Sequence, residues 1–238
     1  MANACPRRAF KWTRTASAIL AGLLAATPAL AQSPVDSFDT RYRLKAAGFP
    51  FTVGAQRTLS PAGGDRWEMV VTASNFLGEI RETSVFTWQD CLPVTQYYGY
   101  HREGLGRVKA AELRIADQQA TSERTEHEPY RYAVDQPATD KIALTLALQC
   151  RLARGDRDIT LNVADERGVE KQRFQVEGRE TLEIDGNDLA TVKVRRLREA
   201  GSERQTWLWF APGSDYTLVQ LVQENDDGRH VMNLESLP

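Results

Sequence analysis

The sequence predicts a mainly β protein: an antiparallel meander curled into a barrel or half-barrel, with one helix packed on it. Three observations carry that prediction. Apolar and polar residues alternate with a period of two over most of the chain, which puts successive side chains on opposite faces of a strand. Short Gly-, Asn-, Asp- and Pro-rich turns recur between the alternating runs. Only one segment, 138–154, has the Ala- and Leu-rich composition of a helix.

The first 31 residues stand apart. Arg7, Arg8, Lys11 and Arg14 form a basic start, Ala16–Ala26 an apolar run, and Ala29-Leu30-Ala31 a small-x-small cleavage site. This is the layout of a secretory signal peptide, and cleavage leaves Gln32 as the new N-terminus. The apolar run is shorter than the ~20 residues a membrane-spanning helix needs. No cysteine stands at the cleavage point, so no lipid anchor is expected. Arg7-Arg8-Ala9-Phe10-Lys11 resembles a twin-arginine export signal, and both that route and the general one stay open. Removing 31 of the 238 residues leaves 207, expected to form a single β-rich exported domain over 32–238. A domain of that size buries about 70% of its unfolded surface.

Export removes four of the 30 Lys+Arg and none of the 32 Asp+Glu, leaving 26 against 32 and a net charge of −6. That balance argues against a nucleic-acid footprint and against a strong pull toward anionic lipid. No second apolar stretch of membrane length follows residue 31. Cys5 leaves with the signal, so Cys91 and Cys150 remain alone in an oxidising compartment, where a disulfide is expected. Closing that loop stabilises the fold by roughly 4 kcal/mol in the chain-entropy account. Two buried free thiols are the alternative. The chain has no CxxC redox pair.

Along the chain, Gln32–Asp39 is a loose, polar lead-in. Trp67, Met69, Val71 and Ala73 share one strand face, and Ile80, Ser84, Phe86 and Trp88 share another. The turns Ser60–Gly64 and Asn75–Gly78 make hairpins of these runs. Cys91–Arg107 follows, with three tyrosines in its middle and a turn at Gly104-Leu105-Gly106. A period of two places Val94, Tyr98 and Tyr100 on one face and Tyr97, Gly99 and His101 on the other. Gly99 opens a gap between large rings, where another ring can come close. Val108–Ile115 and Thr121–Arg124 read as further strands, and the polar patch Ser122–Glu128 as an exposed turn or strand edge.

The segment 135–155 is ambiguous. Ile142, Leu144, Leu146, Leu148, Cys150 and Leu152 alternate as in a strand. Against that, Asp135, Thr139 and Asp140 suit a helix N-terminus, while Arg151, Arg154 and Gly155 suit its end. The composition decides for a helix lying over one face or end of the sheet. Strands then resume at Ile159–Val163, Phe174–Val176, Leu182–Ile184, Val192–Val194, Leu218–Val222 and Val231–Leu234, with turns at Glu166–Gly168, Asp185-Gly186 and Asp227-Gly228. Trp207-Leu208-Trp209-Phe210 is apolar on both faces, so that strand is covered on both sides until Ala211-Pro212-Gly213 ends it. The count is about a dozen strands.

Catalytic and metal signatures are absent from the sequence. His101, His127 and His230 are far apart, without ligand spacing, so no metal and no cofactor is expected. There is no GxSxG elbow around Ser84 or Ser214, and Gly63-Gly64 belongs to a hairpin rather than a phosphate loop. Glu224–Gly228 fails calcium-loop spacing, and the adjacent Asp226 and Asp227 lack an acid–base geometry. Arg195-Arg196-Leu197-Arg198 reads as a solvated strand face. What stands out is aromatic: Trp88, Tyr97, Tyr98, Tyr100, Trp207 and Trp209 on neighbouring strands. They either fill a core or line a cavity in a curved sheet that holds an acyl chain or other apolar ligand.

One resemblance is specific. Tyr42 through the Val53-Gly54 turn, Ser84-Val85-Phe86, Cys91-Leu92-Pro93, the run Tyr98–Arg107, Val176-Glu177-Gly178 and Trp207–Pro212 resemble the exported bacterial proteins of domain-of-unknown-function family 3108. The likeness covers nearly all of 40–238. Where family members carry Pro-Val near the last strand, this chain has Leu218-Val219. The resemblance implies the periplasm of Gram-negative bacteria and a β-rich fold, and no established activity. Its outline is similar to the curved half-barrels of periplasmic lipoprotein carriers and of an envelope-stress regulator, which is fold analogy alone. The expected function is a soluble periplasmic, non-enzymatic binding protein holding a lipid-like or other apolar ligand. An envelope protein-interaction or scaffolding module is the alternative, and an enzyme of unknown type the third.

Overall fold

The computed structural model describes, apart from Met1, residues 33–48, 51–199 and 201–237. The signal segment expected at 1–31 therefore lies outside the described residues. Eight strands come first: β1 (Phe38–Lys45), β2 (Thr52–Pro61), β3 (Arg66–Asn75), β4 (Gly78–Gln89), β5 (Leu92–Gly104), β6 (Arg107–Ala116), β7 (Gln119–Arg124) and β8 (His127–Ala133). Helix α1 (Leu144–Ala153) follows. Six more strands complete the chain: β9 (Asp158–Asp165), β10 (Gly168–Ile184), β11 (Asn187–Leu197), β12 (Gln205–Ala211), β13 (Thr217–Asn225) and β14 (Gly228–Leu234).

All neighbours are antiparallel, and each half of the chain is a meander. Pairing of β1 with β14 joins the halves into one 14-stranded sheet with β8 and β9 at its edges. The edges do not pair with each other, so the sheet curls without closing. A strap from β8 to α1 bridges the gap instead. Thr95 N–H donates to Ala138 O at 3.0 Å, Thr139 N–H to Asn162 O at 2.9 Å, and Ala164 N–H to Thr139 O at 2.8 Å. Ser122 Oγ and Tyr132 Oη also donate to the carbonyls of Glu166 and Asp165, at 3.0 and 2.6 Å.

Curvature comes partly from bulges, which kink a strand and raise its twist. One corrects the expected faces of β5. Val85 stands opposite Tyr97 and Phe86 opposite Thr95, leaving Gln96 as the extra residue. Its exposed side chain marks the point where parity flips. Pro93 and Thr95 point inward before it, and Tyr98 and Tyr100 after it, so Val94 does not share their face. Further bulges lie at Glu177 in β10 and at Val219 in β13.

Two other expectations change. Val53 and Gly54 lie within β2, paired with Leu44 and Arg43, so the turn falls earlier. Strand β8 was not foreseen: Glu128, Pro129 and Arg131 obscure its alternation, as edge strands often do. Within the patch expected to be exposed, Ser122 is buried while Glu123, Glu126 and Glu128 are not. By contrast, Gly99 does what its spacing implied. A Cβ there would lie 2.5 Å from Tyr97 Oη, because the Tyr97 ring crosses the glycine.

Helix α1 lies on the concave side, enclosed by the curl, and seven of its ten residues are buried, which explains the ambiguous sequence pattern. A helix apolar almost all round has no single stripe to betray its period. Ala143, Leu146 and Cys150 face a core with Leu59, Met69, Phe86 and Leu113 from the first half of the chain. Leu144, Leu148 and Leu152 face a second core with Ile159, Phe174, Val194 and Phe210 from the other half. Cys91 and Cys150 form the expected disulfide, with Cα atoms 5.5 Å apart, tying the head of β5 to the helix. Buried Arg57 adds a polar tie, donating to Thr145 Oγ1 at 2.7 Å and to Tyr42 Oη at 3.1 Å. A third cluster lies on the other face, where Ile184, Leu182 and Leu189 of the long β10–β11 hairpin cover Trp209, Ala211, Val219 and Val222. That cover is why β12 is apolar on both sides.

Candidate functional site

The six aromatic residues singled out in the sequence are not gathered in one place. Trp88, Tyr98 and Tyr100 belong to the first inner core, with Trp88 edge-on to Phe86 at 5.2 Å. Trp207 and Trp209 belong to the outer cluster, where Trp209 Nε1 donates to Glu180 at 2.8 Å and Lys193 Nζ sits 5.2 Å from the ring. Lys193 Nζ also donates to Glu180 at 2.9 Å, and the hydrogen bonds from Trp209 and Lys193 hold the Glu180 carboxyl below its ordinary range. Tyr97 lies on the convex face, with Arg114 4.9 Å over its ring.

A cavity of about 250 Å³ instead lies between the start of α1 and the concave face of β10–β13. None of the six aromatics lines it. One wall is apolar: Ile142, Leu144, Phe174, Leu208 and Leu221. The other carries Gln172, Arg196, Arg204, Thr206 and Gln223, with Glu82 and Lys141 also at the lining. Gln172 and Thr206 are only 7% and 8% exposed, yet Gln172 Oε1 and Thr206 Oγ1 have no hydrogen-bond partner among the described residues. The Gln172 amide is fixed the other way round, since Nε2 donates to Glu170 at 3.0 Å. Strand parity builds this wall, because Phe174 pairs with Arg196, leaving Gln172 and Arg198 on that same face one step further along. This corrects the reading of 195–198 as a solvated face. Arg195 is on the outside, 3.1 Å from Glu177. The Arg196 side chain is only 15% exposed and donates to both oxygens of Glu170, at 2.6 and 2.7 Å.

Beside the cavity lies a polar knot at the entry to α1. Asp140 is fully buried and accepts from Ser84 Oγ, from Thr95 Oγ1 at 2.7 Å, and from the N–H groups of Ile142 and Ala143 at 3.0 and 2.9 Å. Burial pushes its carboxyl above the usual range, against the pull of those four donors. Glu82, which accepts from Tyr98 Oη, is raised by burial in the same way. Lys141 Nζ bonds Glu166 at 2.7 Å and stands 4.7 Å over the Tyr98 ring. Burial alone would raise Glu166, but the bond and charge of Lys141, together with a backbone N–H and the charge of Arg124, hold the carboxyl low. Lys141 also borders a wide open cleft of about 980 Å³ edged by Tyr100, Arg107, Lys109, Arg124 and Arg167. Sequence spacing could not show the cavity, because its residues come from six separate elements and the loops beside them. Only the Arg196–Arg198 run hinted at it.

Comparison with known families places this geometry. The family described as Protein of unknown function (DUF3108) matches residues 40–235, nearly the whole described chain. The chain belongs to that family. As a DUF3108 protein it has no match among curated proteins. Among solved structures it is similar to a beta-barrel-like protein of domain of unknown function DUF1849 from Brucella abortus, with a TM-score of 0.55 at 6% identity. The match covers 83% of this chain and 95% of that one, and at such identity it speaks for the DUF3108 fold alone.

Proposed function

We propose that the protein is a periplasmic, non-enzymatic binding protein that holds an amphiphile at the concave face, its chain against Leu144, Phe174, Leu208 and Leu221. The observation that carries this reading is the cavity's division into an apolar wall and a wall with two buried, unpartnered polar atoms. Leaving such an atom unsatisfied costs about 1–3 kcal/mol, so the site favours a guest, or water in its absence, that supplies the missing bonds. The volume lies just under the ~300–1,000 Å³ of ordinary small-molecule sites, which suits a short chain or the end of a longer one. The basic, apolar and small-x-small order of residues 1–31 supports export.

The polar knot supports binding over catalysis. Ser84 and Asp140 have no exposed surface, so a substrate has no path to them, and Lys141 is engaged by Glu166. Native mass spectrometry of protein purified from the cell envelope tests the reading. It predicts an adduct with the mass of an amphiphile that is released by organic solvent. Bare protein in repeated preparations, with no uptake of added short-chain amphiphiles, contradicts it. A second reading, an envelope interaction module, is favoured by the exposed edge strand β8 with Tyr130 46% exposed. Pro129 removes one donor from that edge and shortens what a partner strand could pair with. In-cell crosslinking from Tyr130 that captures no partner counts against it.

A further inference from the structure

We infer that the polar wall of the cavity is a receptor for an anionic head group, a carboxylate or phosphate monoester, held by the arginine trio Arg196, Arg198 and Arg204. This deepens the amphiphile reading and rests on it. Three guanidinium groups stand together beside Glu170, which Arg196 and Gln172 already occupy, while the other carboxyl at the lining, Glu82, accepts from Tyr98 Oη and is raised by burial, which favours its neutral form. Arg204 has no carboxylate within 4.0 Å among the described residues. Arg198 stands next to the lining rather than in it, close to Arg196 and Arg204, and is the decisive member: its Nε and Nη2 are buried and have no partner among the described residues. Burial, and then the charges of Arg196 and Arg204, pull its pKa down to about 10, which still leaves it a cation at neutral pH. A cluster of like charges with orphaned donors is unfavourable in the empty protein and is relieved by a bound anion. It is also a positive focus on a chain whose expected exported form carries −6.

The hydrogen-bond complement narrows the chemistry. Arg198 offers two unpartnered donors, Thr206 a hydroxyl that donates or accepts, and Gln172 an acceptor that needs a donor. A phosphate monoester monoanion meets all of these, with its charged oxygens toward arginine and its O–H toward Gln172. A carboxylate with a neighbouring hydroxyl does the same. A neutral alcohol meets only part of the set, and an ammonium head is repelled. The open cleft around Arg107 and Lys109 is the weaker candidate, because both residues are exposed and water satisfies them.

Calorimetric titration of the protein with octyl phosphate, octanoate, 1-octanol and inorganic phosphate separates the possibilities. The chain is constant across the first three, so their differences report the head group. The inference predicts that octyl phosphate binds at least about tenfold more tightly than 1-octanol, the scale of charge-assisted hydrogen bonds in a shielded site. Arg204→Gln, at an exposed position that tolerates change, and Arg198→Gln should each cut that advantage severalfold, weakening octyl phosphate much more than 1-octanol. Arg195→Gln, on the outer face, should leave it intact. Equal binding of octyl phosphate and 1-octanol overturns the anion receptor and leaves the amphiphile reading standing. Binding of inorganic phosphate that Arg204→Gln abolishes, with no gain from the octyl chain, supports the receptor and sinks the amphiphile. No binding of any probe overturns both.

Discussion

Removing the Cys91–Cys150 bridge probes how the helix is held inside the curl. The two cysteines are 59 residues apart, and the loop between them contains β5 to β8 and the strap. Chain-entropy loss for a loop of that length comes to about 4 kcal/mol at 25 °C. Both sulfurs belong to buried residues, 3% and 4% exposed, so serine would add the cost of burying a hydroxyl; the Cys91→Ala/Cys150→Ala double variant is the cleaner perturbation. In a domain of this size each kcal/mol shifts Tm by about 2–4 °C, so the variant should melt about 8–16 °C lower. Urea unfolding should show a lower midpoint and a steeper slope, because the unbridged unfolded chain is less compact and exposes more surface. Adding reductant to the natural protein should reproduce the loss, and adding it to the variant should change nothing. A variant within about 1 kcal/mol of the parent would refute the reasoning, because the helix would then be held by packing and Arg57 alone.

Three further predictions follow from the same frame. Deleting Gln96 removes the β5 bulge but keeps Thr95, Tyr97 and Tyr98 opposite Phe86, Val85 and Ser84, so Tyr98, which has no exposed surface, stays inward and melting by circular dichroism should remain cooperative; Gln96→Ala should cost under about 0.5 kcal/mol. Arg57→Ala should lower stability by about 3 kcal/mol in urea, since the guanidinium's bonds to Thr145 and Tyr42 and its stacking on the Phe38 and Tyr42 rings go with it; Arg57→Met, which refills the space of the stem with apolar atoms, should lose less. Asp140→Asn tests the sign of a buried carboxyl. Because the fold raises the Asp140 pKa, its contribution to stability is most favourable below the unfolded value and declines as pH rises toward the folded one. The variant should therefore compare best with the parent at pH 7 and lose ground as the pH falls toward 4, read as urea midpoints across that range.

The parts of the fold that depend on local chemistry were legible in the residues. Turns such as Ser60–Gly64, Asp185-Gly186 and Asp227-Gly228 fell where Gly and Asp allow the backbone to reverse, and two-sided apolarity at Trp207–Phe210 announced a strand covered on both faces. What depends on long-range packing was not. The bulge at Gln96 left no signal, because an extra residue in β5 is defined only by its partner in β4. The alternation across Leu144–Leu152 argued for a strand for a related reason, since two cores on opposite sides of α1 recruit apolar residues at both phases, and it was the composition and the end signals that gave the helix. The aromatic residues drew attention through their size, yet size mostly reports burial. The cavity is instead written in Gln172, Thr206 and Leu221, ordinary residues on three strands that only the curl brings together. Arg198 shows the limit most plainly: a basic run has two faces, and only the register with β10 says which one is enclosed.

The account rests on the concave cavity being the place where a guest sits. Two-dimensional nuclear magnetic resonance of isotope-labelled protein, titrated with octyl phosphate, asks that directly. The account predicts saturable shifts concentrated at Leu144, Phe174, Arg196, Thr206, Leu208 and Leu221, with Trp207 and Trp209 of the outer cluster unmoved. Shifts confined to the outer aromatics or to the β8 edge, or none at millimolar ligand, would contradict it.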